Sequence, residues 1–175
     1  MQKYINTPIN FPNTSPKGYQ YLDNEPTYNP EIHLALEYPK KSTSLQDLGY
    51  SEKEIAICPT NFGVSGVARL LSDQGVKVLM NTIQALKKYS TNGGERIQHM
   101  LRGGVYRSKF LRDLCLCSKV SKFISEIYGI PVGPHSIPLH LGHCNFSPDD
   151  LSRAVDKWHT DTIGLDYVLM VSDPT

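Results

Sequence analysis

The sequence predicts an α+β fold in which helices come first along the chain and an antiparallel sheet begins last. Three observations carry this prediction. Apolar residues recur at helical spacing from residue 72, two further helical stretches follow up to residue 128, and short β-like runs separated by turn residues begin after Pro131.

The N-terminal segment, residues 1–59, is rich in Pro, Asn, Thr and Tyr and shows little sustained periodicity. Such a composition predicts an extended or partly disordered arm. Its several tyrosines favour docking of that arm on the rest of the chain, because disordered tails have few aromatic residues. We therefore divide the chain into an arm at 1–59 and a domain at 60–175.

The first helix is predicted from Ser72 to about Tyr89. Ser72 can cap the first turn, and Asp73 suits the positive end of the helix dipole. The apolar face has three- and four-residue spacing and consists of Val76, Leu79, Ile83 and Leu86. Further helices are predicted at 108–116 and 120–128, where Gly129 and Pro131 stop the second of them.

The predicted strands are 136–146, 157–162 and 165–171, with a turn at 147–150. We expect these strands to form one antiparallel sheet with the helices packed outside it. Residues two apart on a strand share a face. His143 would then share a face with Asn145, and His140 would lie on the opposite face.

Composition excludes several classes of partner. Lys plus Arg number 18 against 17 Asp plus Glu, so no net field favours nucleic acid or an anionic membrane. A basic stretch at 102–112 is interpreted as a solvated helix face. No apolar run approaches the ~20 residues of a membrane helix, and the four cysteines lack disulfide spacing. A soluble, cytoplasmic protein is expected, with Cys115 and Cys117 as buried thiols.

The run at 158–161 contains the candidate metal ligands. On a strand, His159 and Asp161 project to one side and Thr160 to the other. An imidazole nitrogen and a carboxylate oxygen are two of the three ligands in the 2-His-1-carboxylate facial triad of non-haem Fe(II) enzymes. The spacing therefore makes His159 and Asp161 candidate metal ligands.

A family resemblance rests on two runs, His140-Leu-Gly-His-Cys-Asn-Phe-Ser-Pro-Asp149 and Asp156-Lys-Trp-His-Thr-Asp161. Together with the helix start at 71–76, they resemble the phytanoyl-CoA dioxygenase and ectoine hydroxylase group of Fe(II)/2-oxoglutarate oxygenases, over residues 65–175. The resemblance implies a double-stranded β-helix (jelly roll), with Fe(II) and 2-oxoglutarate as cofactors. It implies that His159 and Asp161 are the first two iron ligands and that Asn145 hydrogen-bonds 2-oxoglutarate. It also implies that 2-oxoglutarate decarboxylation drives C–H oxidation of a small-molecule substrate by O₂.

The chain departs from this family after Asp161. Relatives supply a distal His and a carboxylate-pairing Arg late in the fold, whereas residues 162–175 contain neither. A jelly roll needs about eight strands. We therefore expect an incomplete barrel, the front portion of a dioxygenase, which is inactive by itself. Its uncovered sheet edge, with Leu165, Val168, Leu169 and Met170, would favour self-association.

Two other functions remain open at this stage. One is a non-catalytic jelly-roll module for binding or structure. The other is a zinc hydrolase-type site in which His143 or His140 joins His159 and Asp161. Asn145 also has a second interpretation, as a turn residue before Ser147 and Pro148.

Overall fold

A computed structural model of the chain describes residues 11–93, 97–148, 150 and 163–172. These residues combine helices with small antiparallel sheets, which confirms the predicted α+β class. The helices are α1 (Pro30–His33), α2 (Glu52–Ile55), α3 (Asp73–Leu86), α4 (Lys109–Cys115) and α5 (Ser118–Tyr128). The strands are β1 (Leu34–Glu37), β2 (Ser42–Ser44), β3 (Phe62–Ser65), β4 (Arg69–Leu71), β5 (His99–Leu101) and β6 (Cys144–Phe146).

Helix α3 matches the first predicted helix. The Ser72 side chain accepts a hydrogen bond from the backbone N–H of Gly75 at 3.0 Å, which satisfies one free donor of the first turn. The helix then tightens into a 3₁₀ turn at Lys87–Tyr89. Leu79 and Leu86 are fully buried, as the apolar spacing requires. Ser72 and the apolar face together fix where this helix begins and which side it buries.

The next two helices are also confirmed. The Ser108 hydroxyl caps α4 by accepting the Leu111 N–H at 2.9 Å. Helix α5 ends at Gly129, which has a φ of +71°, a left-handed conformation that glycine adopts without steric cost. Phe110 of α4 and Phe123 of α5 are among the most deeply buried side chains.

The sheets differ from the prediction. The described strands form three separate two-stranded antiparallel ladders, β1 with β4, β2 with β3, and β5 with β6, and they close no barrel. The predicted strand at 136–146 is wrong for most of its length, because only Cys144–Phe146 is extended and paired. Pro134 and Pro138 lack a backbone N–H, and Pro138 instead begins a 3₁₀ turn at Pro138–His140.

The predicted strand at 165–171 is wrong as well. This segment has no regular structure and pairs with no described strand. It is attached through side chains: the Tyr128 hydroxyl donates to the Asp166 carbonyl, and Leu165 and Leu169 pack against the core. Val168 and Met170 are exposed. The strand predicted at 157–162 lies outside the described residues.

The core lies between α3, α4, α5 and the strands β4 and β5. Phe110 is completely buried, and its ring meets His33 and Tyr28 edge-on, with centroids at 5.0 and 5.4 Å. His33 ends α1, so this aromatic cluster attaches α1 to α4. None of the helices in the described part of the chain is long and apolar enough to cross a membrane.

The N-terminal arm docks through its aromatic residues from position 11 onward. The Arg107 guanidinium lies over the rings of Tyr19, at 4.3 Å, and Tyr89, at 3.9 Å. Its backbone carbonyl also accepts the Leu22 N–H at 2.7 Å. The interpretation of residues 102–112 as a solvated face is therefore wrong for Arg107. Pairing of β2 with β3 also links residues on either side of position 59.

Candidate functional site

The two candidate iron ligands, His159 and Asp161, lie outside the described residues. Their role and their mutual geometry therefore stay predictions from the sequence. Asn145, the third candidate site residue, is described, and so is its setting on β6.

Asn145 lies in the middle of β6, directly opposite Met100 of β5. Alternation separates the two faces of this ladder. Leu101 and Cys144 point into the core, whereas Asn145 points away from it and is exposed. No described residue forms a hydrogen bond with the Asn145 side chain. An exposed amide of this kind can donate to a ligand on the outer face.

Arg102 and His143 extend this outer face. Each lies one residue beyond the last register pair, Leu101 opposite Cys144, so continuing the alternation puts both on the face of Asn145. The pKa of His143 is lowered, first by burial and then by the positive charge of Arg102 and by His140, while Asp166 opposes the shift. His143 is consequently held in its neutral form near Arg102.

His140 joins the same group. Its Nδ1 atom lies 2.5 Å from Nη1 of Arg102, and its ring centroid is 5.1 Å from that of His135. The prediction that His140 faces away from His143 is wrong, because Gly142 takes a φ of +60° and a 3₁₀ turn replaces the strand before it. Strand alternation does not extend through such a break.

The sequence alone does not identify Arg102 and His135 as residues of this cluster. The sequence pattern predicts a helix face for Arg102, because it does not identify β5 as a strand. The local signal was available: His99–Leu101 follows a glycine break and is itself followed by Gly103 and Gly104. His135 carried no sequence signal, since its position depends on the turn made by Pro134 and Pro138.

The thiols beneath the ladder have raised pKa values. Burial raises the pKa of Cys115 to about 12 and that of Cys144 to about 11. A protonated, desolvated thiol is a poor metal ligand and a poor nucleophile. In the described part of the chain, no group of three His, Cys, Asp or Glu residues is arranged to hold a metal ion.

Comparison of the chain with family models, with curated proteins and with solved structures found no match.

Proposed function

We propose that this chain provides part of the active site of a non-haem Fe(II)/2-oxoglutarate-dependent dioxygenase of the hydroxylase type, built on a jelly roll. The main support for this proposal is the order of residues along the chain. A strand whose outward residue is Asn145 is followed by the run Trp158-His159-Thr160-Asp161. This is the order in which the resembling oxygenase group places an oxo-acid contact and its first two iron ligands.

The donor set fits iron chemically. A neutral imidazole from His159 and a carboxylate from Asp161 are the ligand types that Fe(II) takes in such enzymes. The Asn145 amide can donate to a carboxylate of 2-oxoglutarate without adding charge, and it lies on an exposed face with no described partner. Iron and 2-oxoglutarate, when bound, supply the oxidising chemistry with O₂.

The helices have a supporting role in this proposal. Leu101 of β5 belongs to the same core cluster as the buried residues of α4 and α5, so we place the ligand-binding face on the opposite, exposed side of the β5–β6 ladder. The ladder holds Asn145 in register with Met100, and Leu101 anchors β5 because it is almost fully buried. Positioning a binding side chain on a paired strand fixes it more tightly than a loop does.

Two further groups are needed for full activity, namely a second His ligand and an Arg that pairs with the far carboxylate of 2-oxoglutarate. Residues 162–175 contain neither. Residues 1–175 alone therefore should bind iron weakly and form no succinate. We propose a location in the reducing cytoplasm, which suits the four unpaired cysteines, and a small-molecule substrate, which the oxygenase resemblance implies.

Anaerobic calorimetry with Fe(II) and 2-oxoglutarate tests this function. We expect weak binding that is lost in Asp161→Asn. Asp23→Asn is the control, because it makes the same change of charge on an exposed residue of the N-terminal arm and should bind as the unmodified chain does. If Asp161→Asn binds iron as tightly as the unmodified chain does, Asp161 is not a metal ligand. Tight ternary binding by residues 1–175 would show that the third ligand lies elsewhere in this chain.

A further inference from the structure

The hydrogen bonds of His140 and His135 fix where each ring carries its proton. A guanidinium has only donors, so the Nδ1 atom of His140, 2.5 Å from Arg102, must accept. The Nδ1 atom of His135 accepts the backbone N–H of Ile137 at 3.0 Å. In both rings the proton is therefore on Nε2. These tautomers are assigned from the hydrogen-bond network.

Two adjacent imidazoles thus present Nε2–H donors next to a guanidinium. The rings of His135 and His140 are 5.1 Å apart, and among the described residues His140 is the one side chain that accepts a hydrogen bond from Arg102. All the groups left over in this cluster are donors, and its charge is positive.

Arg102 also differs from Arg69 and Arg112 in its partners. Arg69 forms ion pairs with Glu37 and Asp73, and Arg112 pairs with Asp113. Among the described residues, no carboxylate forms an ion pair with Arg102, although its side chain is held in place by a histidine. An exposed guanidinium fixed in this way is prepared for a negatively charged partner from solution.

We propose that Arg102, His135 and His140 form a binding site for an oxyanion, a carboxylate or phosphate group of a ligand. The guanidinium supplies the charge and a planar pair of donors, and the two Nε2–H groups supply further hydrogen bonds.

The position of this oxyanion site gives it a role beyond the proposed iron chemistry. Alternation continued by one residue beyond the pair of Leu101 and Cys144 puts Arg102 on the same outer face as Asn145. A ligand whose anionic group is held at Arg102 would extend toward Asn145. The site needs neither iron nor 2-oxoglutarate to form, so it can be tested without them.

NMR of the histidine side chains in the metal-free protein provides the test. Inorganic phosphate and acetate are titrated separately at neutral pH, and the signals of His135 and His140 are followed. We expect saturable shifts of both, with the tighter anion identifying the class. A hydrogen bond to a charged group contributes about 1.5–3 kcal/mol, so Arg102→Gln should weaken binding by about tenfold or more.

Two controls separate this result from a general effect of charge. Arg69→Gln removes the same charge from an arginine already paired with carboxylates, and it should leave binding unchanged. His140→Gln retains an acceptor for Arg102 and an N–H donor, so it should bind, whereas His140→Leu should not. The proposal is overturned if Arg102→Gln binds the anion as tightly as the unmodified chain does. It is also overturned if the unmodified chain shows no saturable binding. Either result leaves the iron prediction untouched.

Discussion

Gly75 in the first turn of α3 provides the sharpest test of the packing that supports the site. A Cβ atom at this position would lie 2.1 Å from the carbonyl oxygen of His33, at the end of α1. That oxygen belongs to the backbone, so no side-chain rotation relieves the contact. Gly75→Ala must therefore push α1 away from α3.

The cost follows from what α1 would lose. Overpacking of this kind costs about 1–3 kcal/mol, and alanine returns about 1 kcal/mol through helix propensity. The displacement also stretches two hydrogen bonds, from the Ser72 N–H to His33 O at 3.1 Å and from the Ser72 hydroxyl to Ile32 O at 2.6 Å. Each contributes about 1 kcal/mol. We expect Gly75→Ala to lower the free energy of unfolding by about 2–4 kcal/mol.

Urea unfolding followed by circular dichroism measures this loss. With a slope of about 2 kcal/mol per molar urea, the midpoint should fall by about 1–2 M. Gly133→Ala is the matched control, because a Cβ there meets no atom within 4 Å, and its effect should stay within about 0.5 kcal/mol. If Gly75→Ala is as stable as the unmodified protein, the contact between α1 and α3 is not as described.

Two further predictions concern the core thiols and the arm. In the folded protein the pKa values of Cys115 and Cys144 are about 12 and 11, above the ordinary value of 9.0. The stabilisation from burying these protonated thiols is therefore complete below pH 9 and is lost as the pH rises toward 11–12. The free energy of unfolding should fall over that range in urea titrations, and replacing both cysteines by alanine should flatten the fall; an unchanged slope would refute the burial. Arg107→Ala should release the arm, since it removes the cation–π contacts with Tyr19 and Tyr89 at about 0.5–2 kcal/mol each. Limited proteolysis should then cut between residues 11 and 28 faster than in Arg69→Ala, and equal rates would contradict the docking.

The helices could be predicted from the sequence because their signals are local. Ser72 and Ser108 cap helices with their own side chains, and Gly129 ends one through its own backbone freedom. Apolar spacing then identifies the buried face. These are properties of short segments, and they need no knowledge of the rest of the chain.

The strands were harder to predict because a strand depends on its partner. Leu165 to Val171 has strand-like composition, yet it pairs with no described strand and packs through side chains instead. The same limit applies to the site. Arg102 meets His140 only because β5 pairs with β6 and the chain turns at Gly142, which are contacts between distant segments. The assignment of His159 and Asp161 to iron stays a prediction.

Paramagnetic broadening by Mn(II) tests the central claim most directly, because it locates even a weakly bound ion. Mn(II) added in small amounts should broaden the side-chain amide signals of Asn145 and leave the backbone amide signal of Val64, an exposed residue of β3, unchanged. The broadening should disappear in the double variant His159→Ala, Asp161→Ala. If the double variant retains the broadening, or if Asn145 is unaffected while other regions broaden, the ion does not bind where the sequence predicts, and the oxygenase proposal fails.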